Sequence, residues 1–394
     1  MEYQWKMRRH PWVAGAIALV IAWSAGTAAA APAAAAAAAP APPPVRVRVI
    51  TGGLTIPWDI AFMSPTRYLI TERSGALRVG STSGGASRVV SADFSDLFVV
   101  AESGLLGLAL HPQFATNRLF YTCQSHAPAM DNRVVRWRLS VDGSAAVRVG
   151  AQVLTGIPLG PIHNGCRLLF GPDAKLWVTT GDAGVGTSPQ DLESLGGKVL
   201  RINADGSAPA DNPWAASPGD ARFVWNIGHR NVQGLARRPG TSQLWTSEHG
   251  PDRDDEVNLV RKGRNYGWDP IFGDGSPGYN QRVPMTDLVK FPDAVRAAWT
   301  SGIPTIATAG ISFVTGARWG SYDGALLVAQ LKGAGVMVLT LSPAGAVTSR
   351  REFPALNDRF GRLRTVRQGP DGALYVLTAN GAGTDTILRV APTG

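Results

Sequence analysis

The chain has 394 residues and a formal charge of +9, falling to about +7 once the first 44 residues, with three bases and one acid, are set aside. Its basic residues are scattered, with no basic stripe interleaved with aromatics, which argues against a nucleic-acid partner and leaves a small anionic ligand, or nothing specific, as the simpler reading of the charge. Two cysteines, Cys123 and Cys166, cannot staple a fold of this size or make a metal site by themselves; in an exported chain they can bridge or stay free.

The N-terminus has three parts. Lys6, Arg8, Arg9 and His10 are followed by an apolar run over residues 12–23 and by small residues up to Ala31. This is the layout of a secretory signal over residues 1–30, and the apolar stretch is short for a membrane span. The expectation is a periplasmic or secreted protein with no stable span after signal removal. Residues 31–44, rich in Ala and Pro, read as a linker. The folded part then covers residues 45–394.

From Val45 onward the chain is built of short apolar strands separated by Gly, Pro, Asp and Asn turns. One phrase recurs: an apolar start, a turn, then an alternating strand. Its six copies begin near Trp58, Leu106, Leu168, Gln233, Ile311 and Val366. Six copies over about 350 residues give roughly 58 residues each, near the size of a four-stranded blade with generous loops. No such unit buries both faces alone, so the spacing predicts an all-β, six-bladed β-propeller closed as a ring. The longest interval precedes the fifth copy and predicts inserted loops there.

Three places carry candidate chemistry. His163-Asn164-Gly165-Cys166 precedes a buried-looking strand, where a scaffold can present a base; a cap or turn into the strand serves the same pattern. The acidic turn Glu248-His249-Gly250-Pro251-Asp252-Arg253-Asp254-Asp255-Glu256 offers four carboxylates from Asp252 to Glu256 and exposed carbonyls at Gly250 and Pro251. Such oxygens suit calcium, and a solvated acidic turn reads the same way. Arg230 can pair with a carboxylate or polarise an oxygen, while Arg362 and Arg364, two apart on an extended segment, share a side and with Lys332 suggest a basic pocket. A glycine-rich phosphate loop and a G-x-S-x-G elbow are both absent from the sequence.

Taken in order, the segment Glu102-Ser103-Gly104-Leu105-Leu106-Gly107-Leu108-Ala109-Leu110-His111-Pro112, residues 163–173, 228–231 and 249–256, and Asn265-Tyr266-Gly267-Trp268 resemble the soluble quinoprotein glucose/sorbosone dehydrogenases, or aldose sugar dehydrogenases. The resemblance runs from about residue 54 to 390. It implies a six-bladed propeller that oxidises a sugar or polyol hydroxyl with pyrroloquinoline quinone and calcium, passing electrons on to an unidentified acceptor. By resemblance His163 is the general base, Arg230 polarises a quinone oxygen, and Asn231 contacts the cofactor. Lys332, Arg362 and Arg364 bind its carboxylates, and Glu102 and His249 lie beside its rings. The carbonyls of Gly250 and Pro251 hold the catalytic calcium, and Asp255, Glu256 and Tyr266 match a further, structural calcium. The chain departs from the pattern at Cys166 in place of a glycine, Ile162 in place of an aspartate and Glu102 in place of a glutamine, all near the base. Two other readings are carried forward: a calcium-dependent lactonase or esterase on the same fold, and a non-catalytic glycan-binding propeller.

Overall fold

The computed structural model describes residues 41–273 and 278–394. The expected signal, and the linker up to residue 40, lie outside them. Strand β1 (Val45–Leu54) is followed by a first blade of β2 (Pro57–Ser64), β3 (Arg67–Glu72), β4 (Ala76–Ser81) and β5 (Arg88–Val89). The second has β6 (Leu105–Leu110), β7 (Leu119–His126) and β8 (Asp131–Leu139), with β9 (Ala146–Arg148) and β10 (Leu154–Pro158) both pairing β8. The third has β11 (Gly165–Phe170), β12 (Leu176–Thr180), β13 (Val199–Ile202) and β14 (Val224–Asn226). The fourth has β15 (Val232–Arg237), β16 (Leu244–Glu248), β17 (Glu256–Leu259) and β18 (Trp299–Thr300). The fifth has β19 (Thr308–Phe313), β20 (Leu326–Gln330), β21 (Val336–Leu341) and β22 (Val347–Glu352). In the sixth, β23 (Leu363–Gln368), β24 (Leu374–Thr378) and β25 (Asp385–Pro392) are completed by β1, which pairs antiparallel with β25 from Val45↔Pro392 to Leu54↔Asp385.

The innermost strands β2, β6, β11, β15, β19 and β23 neighbour one another in that order, and β23 returns to β2, so the ring closes as the six recurring phrases predict. Each phrase is the inner two strands of one blade. These strands are buried on both faces and read as apolar runs: every residue of β12, β16, β20 and β24 is buried. Outer strands such as β5 and β22 are largely exposed. Apolar clusters fill each gap between blades, with Trp137, Trp245 and Trp319 among the largest fully buried side chains. Burying one such aliphatic or aromatic side chain stabilises by about 1.5–3 kcal/mol, so the faces between blades dominate the energetics. The insertion predicted before the fifth copy lies between β17 and β18, in the fourth blade.

Candidate functional site

The channel along the ring axis is closed by a buried ion pair. The guanidinium of Arg167, on β11, lies 4.0 Å from the ring centre of Trp58 and 2.8 Å from Asp59. It also donates to the carbonyls of Gln233 (2.9 Å) and Trp58 (3.4 Å) and to the hydroxyl of Thr365 (3.2 Å). This plug forms a floor. Above it, at the starts of the innermost strands, a cavity of about 330 Å³ is walled by Trp58, Arg73, Glu102, Asn164, Gly165, Gln233, His249, Lys332, Arg362 and Arg364.

Four cations face one carboxylate, Glu102, in that wall. The excess is paired with unused donors. Among the described residues, the Nε atoms of Arg230 and Arg364 and Nδ2 of Asn231 are buried donors without a hydrogen-bond partner. Burial pushes the Arg364 guanidinium down to about 9, Glu102 opposing and the neighbouring Arg362, Arg167 and Arg73 adding to the effect. Burial, with Arg364 and Arg230 close by, also holds the His249 imidazole well below its ordinary value, so it stays neutral. Buried, uncompensated positive charge and unmet donors are costly and mark a place for an anionic ligand.

His163 stands next to the wall residues Asn164 and Gly165. Its backbone is left-handed, at φ +59°, and its N–H donates to Glu102 at 2.9 Å. Gly181 permits the close approach of the next strand end, because a β-carbon there would lie 1.8 Å from the carbonyl oxygen of His163. The side chain of Asn164 ties the loop down, donating to the carbonyl of Gly160 and accepting from Asn132. The imidazole Nδ1 of His163 is 2.8 Å from Asp182, which is fully buried. Asp182 also accepts from the indole of Trp268 (2.8 Å), the backbone N–H of Gly184 (2.9 Å) and the hydroxyl of Tyr279. A carboxylate only accepts, so in the neutral ring Nδ1 carries the proton and Nε2 the lone pair. That tautomer is the one a base needs.

Arg230 is held from several sides. Its backbone N–H donates to Glu248 at 2.8 Å, and its guanidinium donates to the carbonyls of His249 and Gly250, each at 3.0 Å, and to Gln281 at 3.1 Å. Asn231 accepts from the N–H of Gly165 at 3.1 Å, which joins the third and fourth blades beside the base. Lys332 donates to Thr305 at 3.3 Å. The structure therefore brings Glu102, His249, Lys332, Arg362 and Arg364 into one cavity wall, and ties His163, Asn231 and Arg230 to wall residues through Glu102, Gly165 and His249 in turn.

The oxygens assigned by resemblance to calcium are placed differently. Gly250's carbonyl accepts from Arg230, so it and the carbonyl of Pro251 are not a free pair. Asp255 accepts from the backbone N–H groups of Gly250 (2.9 Å), Ile306 and Ala307 (both 2.6 Å) and shapes the turn. Glu256 accepts from Thr286 and Asn258, both at 3.0 Å, and burial beside Glu248 pushes its carboxyl well above the usual range. The phenol of Tyr266 donates to the carbonyl of Leu259 at 2.6 Å. No group of three or more His, Cys, Asp or Glu among the described residues is arranged for a metal.

Sequence reasoning passed over Asp182, Tyr279, Gln281, Arg73 and Trp58, and gave no role to Trp268. Asp182 carried a signal: it ends a buried strand after Gly181, as His163 precedes one. Tyr279 and Gln281 carried none, because they reach the site from the fourth-blade insertion.

Residues 54–389 match the model of the glucose/sorbosone dehydrogenase family. The chain is 32% identical over 352 residues to the aldose sugar dehydrogenase YliI of Escherichia coli, covering 87% of this chain and 92% of that one. It is 36% identical over 362 residues to an uncharacterised protein of Synechocystis, covering 86% and 85%. Among solved structures it resembles the quinone-bound aldose sugar dehydrogenase of Streptomyces coelicolor, with a TM-score of 0.73, 30% identity, and coverage of 89% of this chain and 99% of that one.

Proposed function

Because the chain belongs to the glucose/sorbosone dehydrogenase family, we propose that it oxidises a hydroxyl of an aldose or polyol, with pyrroloquinoline quinone in the cation-lined cavity and His163 as base. The observation that carries this reading is the His163–Asp182 pair standing beside a cavity with four cations, one carboxylate and several unmet donors. A planar cofactor bearing three carboxylates suits that wall. Lys332, Arg362 and Arg364 would hold its carboxylates, with Asn231 and His249 beside its rings. Bound there, the quinone supplies an acceptor for the hydride leaving the substrate carbon.

The protein's own groups do the rest. Nε2 of His163 takes the hydroxyl proton. Asp182 fixes the ring and stabilises the imidazolium that forms, while Tyr279 and Trp268 hold Asp182. Arg230, clamped by the carbonyls of His249 and Gly250 and by Gln281, keeps a rigid positive charge near the reacting oxygen. The residues fit the quinone better than calcium, because Arg230 already engages Gly250 and Asp255 is spent on three N–H groups. A lactonase would need carboxylates converging on the axis, yet Asp59 there is bound to Arg167 and Arg367.

We also read the chain as exported. The basic, apolar and small-residue order of its N-terminus supports this, as does a buried disulfide between Cys123 and Cys166. No helix among the described residues is long and apolar enough to cross a membrane. Titrating the purified protein with the quinone, with and without calcium, and following dye reduction with a panel of aldoses tests the activity. Saturable binding with aldose-dependent reduction is expected; absence of binding would sink the proposal.

A further inference from the structure

We infer that the Cys123–Cys166 disulfide is a positioning device for His163, holding the backbone turn that presents it; the role rests on His163 acting as the base. The bond joins β7 of the second blade to β11 of the third, only three residues from His163, and both cysteines are fully buried. The turn it holds is unusual. His163, Gly165 and Cys166 all lie in the left-handed region, at φ +59°, +58° and +75°. Glycine adopts such angles freely, whereas a residue with a β-carbon is strained there and persists only where its surroundings over-determine it.

The sheet does not provide that restraint. Between Gly165↔Thr180 and Leu168↔Val178 the pairing of β11 with β12 slips by one residue, a bulge centred on Cys166 and Arg167. The N–H groups of this stretch turn to side chains instead of the ladder: His163 to Glu102, Gly165 to Asn231 and Arg167 to Thr179. The neighbouring strand is close, since a β-carbon at Gly107 would lie 2.1 Å from the carbonyl oxygen of Cys166. A covalent tie from Cys166 to that same blade therefore fixes what the ladder leaves loose. Because both sulfurs are shielded, the bond acts as a permanent bolt in the folded protein.

Two variants separate positioning from bulk stability. Cys123→Ala cuts the bond and leaves a residue with a β-carbon at the position where the turn calls for a left-handed angle. Cys123→Ala/Cys166→Gly also cuts it, but places at 166 the residue that holds that angle without strain. Cys123→Ala is expected to lose about 10-fold or more in kcat per quinone-loaded site. Its quinone affinity and KM should stay within about twofold of the unsubstituted protein. The amide hydrogens of His163, Gly165 and Arg167 should exchange faster, measured without quinone. The double variant should regain most of the lost turnover and protection.

Unchanged turnover with unchanged exchange in Cys123→Ala overturns the inference, as does a double variant no better than Cys123→Ala in either readout. If Cys123→Ala fails to fold while the double variant folds, the inference is supported in its extreme form. If neither folds, the bond serves the fold and not the turn, and the inference is lost. His163→Ala, assayed in parallel, reports on the base alone, and the exchange measurement needs neither quinone nor turnover. A failure of the dehydrogenase reading is thus distinguishable from a failure of this one.

Discussion

Asp182 decides which nitrogen of His163 carries the proton. With the carboxylate 2.8 Å from Nδ1, the free lone pair is on Nε2. Asp182→Asn can present an N–H to Nδ1 and so stabilise the tautomer that carries its proton on Nε2; kcat is expected to fall about 100-fold or more with quinone binding intact. Steady-state kinetics beside a quinone titration checks this, and an unchanged kcat would remove Asp182 from its orienting role. Arg364, buried with an unmet Nε, speaks to binding instead of chemistry. Arg364→Gln should weaken quinone affinity roughly 10- to 100-fold, the worth of a charge-assisted hydrogen bond at 1.5–3 kcal/mol, and a fluorescence titration reads it directly. At this scale residue type and motif order foretold a grouping and not a role: Glu102, His249, Lys332, Arg362 and Arg364 share one cavity wall. The sequence was not legible for Tyr279, whose contact with Asp182 spans 97 residues and leaves no local pattern. Nor does an acidic turn show in sequence which of its carboxylates, as Asp255 does, accept from backbone N–H groups.

Between His163 and Arg230 runs the loop that carries Asp182, and one buried lysine pins it. Lys198 donates to the carbonyls of Ser188, Pro189 (3.1 Å) and Gly196 (2.7 Å). Burial pushes its ammonium down to about 7, against 10.5 for a free lysine. Between those values the unfolded chain holds a proton that the folded chain has released, so this group makes stability rise with pH from about 7 to about 10.5. Denaturant midpoints across that range should rise in the unsubstituted protein, and Lys198→Met should flatten the rise; a slope that survives the substitution would assign it to other groups. The disulfide acts on stability as well as on the turn. It closes a 43-residue separation, for which chain entropy gives about 4 kcal/mol. Thermal unfolding of Cys123→Ala should therefore come roughly 5 °C lower. The inner strands were legible as elements because burial on both faces makes them apolar runs. The two-residue strands β5 and β18 were not, being too short to show a period.

The ring as a whole depends on its seam. Strand β1 completes the sixth blade and carries Ile50 and Leu54 into the cluster between the sixth and first blades. Deleting residues 1–54 should expose the edge of β25, and loss of a cooperative thermal transition is expected; an unchanged transition would show that the seam is dispensable. Six recurring phrases foretold this architecture because every blade repeats the same burial problem. Closure itself left no mark, since β1 resembles no other copy. The floor made by Arg167 and Asp59 was equally hidden, as an ion pair assembled across the axis from two blades. What the ring builds is a cation-walled cavity with one oriented imidazole at its side, and a single comparison probes that claim. The unsubstituted protein and His163→Ala, each loaded with pyrroloquinoline quinone, are compared for binding and for aldose-dependent dye reduction. Both should bind the quinone with similar affinity, while turnover by His163→Ala should fall about 100- to 10,000-fold. Turnover at the unsubstituted rate in His163→Ala, or no quinone binding by either protein, would contradict it.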